Sequence, residues 1–168
     1  RGSFYRALLL TGIFVFFTLL IFNVTFALVL ALTTTALPER MGAFFRAIWL
    51  LPRMSPSVVY ALIWLWTVDS SERGLLNQAF AFLGLGPVNM KLDHPRMLMV
   101  MANGLIGASL GMIIFTSAIR SIPQHLFYAA RADGAGSLAI VRHIILPALR
   151  WPISYITIYQ SLALLVSF

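Results

Sequence analysis

The 168-residue sequence predicts an all-α integral membrane protein, and three observations carry that reading. Hydrophobic residues make up 60% and charged residues only 10%, with a mean hydropathy of +0.90, far outside the range of soluble domains. The apolar residues fall in long uncharged runs. The cations lie between those runs: 12 Lys and Arg against 5 Asp and Glu give a formal +7. Eleven of the 12 are arginines, scattered rather than clustered, which fits loop charge beside a bilayer and excludes a nucleic-acid binder. The absence of cysteine excludes a disulfide framework, a thiolate metal site and a cysteine nucleophile. The lone lysine, Lys91, follows Val88-Asn89-Met90 rather than a glycine-rich turn, so the chain has no P-loop with which to hydrolyse ATP.

The elements follow in order. Residues 7–36 belong to an uncharged run of 32 residues, Ala7 to Pro38, where about 20 suffice to cross a hydrocarbon core. The run is too long for a signal peptide and continues through Thr18, Asn23 and Thr33-Thr34-Thr35, so it reads as a tilted helix with a polar end. Glu39, Arg40 and Arg46 mark a short polar connection. A second span over residues 47–68 is interrupted by Pro52 and Pro56 and is expected to kink, which in lipid requires neighbours that satisfy the freed carbonyls. The connection from Asp69 to Arg96 contains Gly74-Leu75-Leu76-Asn77 and an apolar stretch to Leu83, then Gly84, Gly86 and Pro87: a surface helix followed by a turn. Residues 97–119 form a third span and residues 151–168 a fourth, still apolar at Phe168, which reads as a fragment of a longer protein. Loop cations number 6 on the side of Arg40, Arg46, Arg120, Arg131, Arg142 and Arg150 against 5 on the other, too even to orient the chain.

The loop 120–150 is the most informative segment. Pro123 suits a first helical turn, and Gln124 to Ala132 lacks a breaker. Gly134 and Gly136 are placed to reverse the chain with positive φ, and Asp133 to accept from the amides that open the next helix. Leu138, Val141 and Ile145 then recur at helical spacing until Pro147, which is expected to close the element. The small Ala129, Ala130 and Ala135 keep this knob slim enough to enter a partner's groove.

The run Ala129-Ala130-Arg131-Ala132-Asp133-Gly134-Ala135, with Ile144-Ile145-Leu146-Pro147 and then Pro152, resembles the "EAA" loop of permease subunits in binding-protein-dependent ABC importers. Ser121-Ile122-Pro123, Leu51-Pro52 with Ser55-Pro56, and Gly74-Leu75-Leu76-Asn77 resemble the sugar branch, the maltose and glycerol-3-phosphate type permeases. The resemblance implies a type I importer transmembrane domain of about six core spans, so that helices before Arg1 and after Phe168 are expected. It implies a multi-pass protein of the prokaryotic cytoplasmic membrane. The 120–150 loop would be cytoplasmic, its coupling helix seated in a cleft of an ATPase subunit. The docking residues would be Tyr128, Ala129, Ala130, Asp133, Gly134, Ala135, Leu138 and Val141. Partners would be ABC ATPase subunits carrying ATP and magnesium, a second permease and an extracytoplasmic solute-binding protein, with no cofactor in this chain. Tyr128 stands where the family usually has glutamate, so the ion pair that glutamate would make with the ATPase is not expected here; the aromatic residue usual near Val141 is also absent, which bears on how the loop packs.

Other residues admit two readings. Gly107-Ala108-Ser109-Leu110-Gly111 matches the nucleophile pattern of serine hydrolases, but no histidine or lysine base lies in a span, and Gly104, Gly107 and Gly111 read better as a small-residue packing face. Arg53 lies about 9 Å into its span at 1.5 Å per residue. There it either snorkels to the interface or lines a water-filled pathway. Asn23, Ser57, Tyr60, Trp64, Asn103, Tyr155, Tyr159 and Gln160 carry the hydroxyl, amide and aromatic surface that sugars use, or else bond neighbouring helices. Three alternatives to a permease are an interfacial amphipathic hairpin at 120–150, an intramembrane serine hydrolase using Ser109, and a passive channel or structural membrane protein.

Overall fold

The structure of the protein, a computed structural model, describes residues 2–71 and 73–166, and among these it contains helices and no strand. α1 (Gly2–Phe17) runs into a π-helical segment (Thr18–Phe26) and then α2 (Ala27–Ala36). α3 (Glu39–Met54) and α4 (Ser57–Thr67) follow, then α5 (Leu75–Phe82) and the short α6 (Met90–Asp93). α7 (Pro95–Arg120) is the central helix. α8 (Gln124–Ala132) precedes α9 (Ser137–Ile140), a π-helical turn (Val141–Ile145) and α10 (Leu146–Val166). By length and composition, Leu9–Ala36 and Pro95–Arg120 are each able to cross a bilayer, and α3 with α4 adds a third if that bent pair counts as one span. α10 carries Arg150, Gln160 and several hydroxyls and is less apolar than these.

The seam between the first helical run and α7 organises the bundle. Buried positions Leu19, Asn23, Ala27 and Ala31 recur every four residues. On an α-helix each such step overshoots a full turn by about 40°, and the wider i to i+5 turns of the π segment bring these residues back toward one face. That face meets the small side of α7. A Cβ built on Gly104 would overlap the Phe22 ring, one on Gly107 the Asn23 Oδ1, and one on Gly111 would stand 2.7 Å from both the Ala27 Cβ and the Asn23 carbonyl oxygen. The pairs 22 with 104, 23 with 107 and 27 with 111 ascend together, so the two helices run parallel. α10 returns antiparallel, and the buried Gln160 donates to the Gly107 carbonyl at 2.9 Å. Phe115, Met112, Leu149 and Ile156 fill the space between α7 and α10.

Two prolines act differently from the sequence expectation. The span expected at 47–68 is two helices meeting at 101°. Pro52 is accommodated inside α3, whereas the clash between Pro56 and its predecessor forces Ser55 to extended backbone at φ −75°, ψ 145°. The polar connection expected around Glu39 to Arg46 is itself helical, because α3 starts at Glu39. Pro147, expected to end a helix, lies inside a continuous run from Ser137 to Val166. The π turn at Val141–Ile145 opens the helix immediately before the proline ring, which enters without breaking it.

The seam yields a test. Gly107→Val is expected to cost about 1–3 kcal/mol by overpacking and so to lower the melting temperature of the detergent-solubilised protein. Gly12→Ala, where a Cβ meets nothing within 4 Å and helix propensity favours alanine, is expected not to lower it.

Candidate functional site

The element that stands out from the bundle is the elbow after α7. The chain leaves Arg120 through Ser121, the buried Ile122 and Pro123, and α8 begins with the amides that Pro123 precedes. α8 is strongly two-sided. Phe127 packs inward on the core formed by Ile119, Ile122, Ile145 and Leu149, while Leu126, Tyr128 and Ala129 face out. Tyr128 is 64% exposed and Leu138, just past the turn, 81%. The elbow thus presents apolar side chains on an element that its buried residues hold against the bundle.

The turn itself is a Schellman motif. The Ala135 amide donates to the Ala130 carbonyl at 2.9 Å and the Gly134 amide to the Arg131 carbonyl at 3.0 Å. Gly134 sits at φ +77°, the left-handed value that glycine adopts without steric cost. Gly136 is extended at φ −71°, ψ 166°, so only one of the two glycines reverses the chain. Asp133 is the C-terminal cap residue of α8 and its side chain does not cap α9, whose N-cap is Gly136 with no side-chain bond. The acceptor role expected for Asp133 is therefore replaced by a backbone role: its amide closes on Ala129 at 3.0 Å. Val141 is half-buried and packs on the core, so it supports the elbow from behind, whereas Ala129, Asp133, Gly134 and Leu138 lie on its surface and Ala130 and Ala135 are partly covered. Behind α8 and α9 lies a cavity of about 580 Å³, reached by Glu39, Arg120, Gln124, Phe127 and Arg131.

The polar residues of the spans separate into two groups. Gln160 and Asn23 belong to the seam, where neither faces open space; both amide atoms of Asn23 are buried without a hydrogen-bond partner among the described residues. The others lie along the bent pair, α7 and α10. The Tyr60 hydroxyl donates to the Ala102 carbonyl at 2.7 Å. Arg53 Nη1 approaches the Ile106 carbonyl, one turn further along α7, at a long 3.5 Å. Ile106 lies near the middle of α7, so α3, running from Glu39, ends with Arg53 at that level. Trp64 meets Tyr60 edge to face at 6.2 Å, and Tyr155 and Tyr159 stack at 6.0 Å on an exposed face of α10. Ser57 opens α4, and Asn103 donates within its own helix to Met99. Ser109 is 1% exposed and donates to the Ile106 carbonyl at 2.6 Å, the bonding of a packed helix serine and not of an activated nucleophile.

At the other end of α7, the stretch Gly74-Leu75-Leu76-Asn77 forms a knot. The buried Asn77 donates to the Asp69 carbonyl at 3.1 Å and accepts from the Val88 amide at 3.0 Å, tying both ends of the connection together. The Asp69 carboxylate accepts from the Ser71 hydroxyl and, at 2.8 Å, from its amide, which holds its pKa below the ordinary carboxylate value. Being a depressed acid, it keeps this turn charged and intact at neutral pH, and the contribution is lost as pH falls through the lowered value.

The described residues form a helical bundle with at least two helices of membrane-spanning length and a helical elbow exposed at one end of α7. The chain belongs to the family described as binding-protein-dependent transport system inner membrane component, whose model matches residues 23–168. It is 32% identical over 136 residues to the diacetylchitobiose uptake system permease protein NgcF of Streptomyces coelicolor, covering 77% of this chain and 38% of that protein. It is 34% identical over 137 residues to the xylose/arabinose import permease protein XacH of Haloferax volcanii, covering 79% and 43%. The fold is that of a chain in the solved bacterial alginate ABC transporter in complex with alginate pentasaccharide-bound periplasmic protein, with a TM-score of 0.85 at 23% identity, over 95% of this chain and 56% of that one. The chain thus spans about two fifths of the length of the first two relatives.

The backbone of the elbow separates its two glycines experimentally. Gly134→Ala forces a left-handed alanine at about 1–2 kcal/mol and is expected to raise amide hydrogen exchange at residues 133–135. Gly136→Ala, with open space around its Cβ position, is expected to leave those amides protected.

Proposed function

We propose that the chain is a permease subunit of an ATP-driven importer that translocates a sugar or related carbohydrate delivered by an extracytoplasmic binding protein. The observation that carries the reading is the elbow: a two-sided α8 locked by a Schellman turn, with Tyr128 and Leu138 exposed. It has the shape for helix-in-groove docking. The chain has no P-loop, so energy enters from ATPase subunits that bind ATP and magnesium, and this chain needs no cofactor of its own. The elbow then faces the cytoplasm of a prokaryotic cell, and the Asn77-tied connection faces outward. A second permease subunit closes the path against the bent pair α3–α4 and α10.

Sugar as cargo is supported by the sugars that the relatives' names carry and by the side chains on the open faces. The stacked Tyr155 and Tyr159, the Tyr60–Trp64 pair, Ser57 and Asn103 offer aromatic faces and hydroxyl or amide groups. Translocation is a conformational cycle without covalent chemistry. ATPase closure moves the docked elbow, and the membrane helices alternate between inward- and outward-open arrangements.

The test uses the full transporter in liposomes with its binding protein and a panel of labelled mono- and oligosaccharides. Gly134→Val is expected to abolish uptake and sugar-stimulated ATP turnover while membrane insertion stays at the wild-type level. Normal uptake by that variant, or wild-type uptake indifferent to ATP, contradicts the assignment.

A further inference from the structure

α3 is joined to the elbow by an ion pair at the end of α7. Arg120, the last residue of α7, places one guanidinium nitrogen 2.9 Å from both carboxylate oxygens of Glu39, the first residue of α3. Each charge suits its own helix, the carboxylate at an N-terminus and the guanidinium at a C-terminus. Glu39 is also 3.8 Å from Arg46, whose other nitrogen donates at 3.1 Å to the Thr34 carbonyl in the last turn of α2. Gly42 makes room for this, because a Cβ there would overlap the Thr34 carbonyl oxygen and crowd the Arg46 guanidinium. The α2–α3 hairpin is thereby tied together, and Arg120 hooks it to the chain four residues before Gln124, which opens α8.

An exposed ion pair contributes only about 0–1 kcal/mol to stability, and Arg120 and Glu39 retain 44% and 73% side-chain exposure. Bundle stability is therefore a weak reason for the pair. Its position offers a stronger one. Glu39 and Arg120 both line the cavity of about 580 Å³ behind α8 and α9, the space into which the elbow has room to move. From Glu39, α3 runs as an unbroken 16-residue rod, about 24 Å long at 1.5 Å per residue, antiparallel to α7. It ends at the 101° bend, where Arg53 meets the middle of α7.

We propose that Glu39, Arg120 and Arg46 are positioning residues of the transport cycle: the Glu39–Arg120 pair is the joint that carries elbow displacement along α3 to the Ser55–Pro56 bend. This rests on the function proposed above. Breaking the joint uncouples ATP turnover from translocation without preventing assembly.

The experiment measures sugar imported per ATP hydrolysed by the complete transporter in liposomes. Glu39→Gln and Arg120→Gln are each expected to lower that ratio at least about three-fold, the double variant no further than either single one, and Arg120→Lys to keep most of it. An unchanged ratio in the single variants, losses that multiply, or a lysine variant as impaired as the glutamine one overturns the proposal. Because the chain has no cysteine, Glu39→Cys with Arg120→Cys supplies an independent arm. A short bifunctional maleimide across the pair is expected to restore the ratio lost before cross-linking, and failure to restore it overturns the joint. If the wild-type protein shows no ATP-dependent import, the function reading fails; if it imports normally and the variants do too, the joint alone fails.

Discussion

Everything in this chain depends on how closely the first helical run can approach α7. In hydrocarbon no hydrophobic force drives one helix onto another, so association rests on packing and on polar contacts across the interface. The glycines of α7 remove the side chains that would hold the backbones apart, and Phe22, Asn23 and Ala27 occupy the space they leave. With α10 pinned to the same glycine face through Gln160, α7 becomes the one helix against which every other long element is placed. A buried amide at Asn23 with no partner among the described residues is a costly feature of that seam, at about 1–3 kcal/mol for such groups. It persists where the surrounding packing overrides it.

From that fixed axis the structure separates what is rigid from what is presented. The bent pair leans on α7 at two carbonyls one turn apart, through Tyr60 and Arg53, and leaves its remaining faces open. The elbow is held by Ile122, Phe127 and Ile145 and shows Tyr128 and Leu138 to the outside. The elbow is fixed in its backbone by the Schellman turn and apolar on its surface at Tyr128 and Leu138. Under the proposed docking, Tyr128 offers area and shape where a carboxylate would offer charge.

Much of this was legible in the sequence, and the rest was hidden for identifiable reasons. Uncharged runs announce helices in lipid, and α8 occupies the residues 124–132 that its flanking Pro123 and Gly134 delimit. The four-residue recurrence of Leu19, Asn23, Ala27 and Ala31 was also present to be read, but it is easily taken for an ordinary helical face, and so the π segment went unforeseen. Proline is ambiguous by nature. Pro56 breaks the chain, while Pro52 and Pro147 are absorbed, and the difference lies in the neighbouring turns rather than in the residue. Asp133 looked like a cap for the helix ahead because its type favours that role, yet the backbone of the helix behind already defines the turn. The Glu39–Arg120 pair spans 81 positions, and no local pattern announces so distant a contact.

The central claim is that the elbow is the handle by which a separate ATPase moves the membrane helices. No cysteine within residues 1–168 competes for a label, and with any cysteine elsewhere in the transporter replaced the claim is measured directly. A photoactivatable maleimide is attached through Tyr128→Cys on the elbow or, as the opposite-end control, through Phe82→Cys on the fully exposed side of α5, and the assembled transporter is illuminated. The account predicts that the probe at position 128 captures the ATP-hydrolysing subunit and the probe at 82 does not. Capture of that subunit from position 82, or its absence from the adducts formed at 128, contradicts the account.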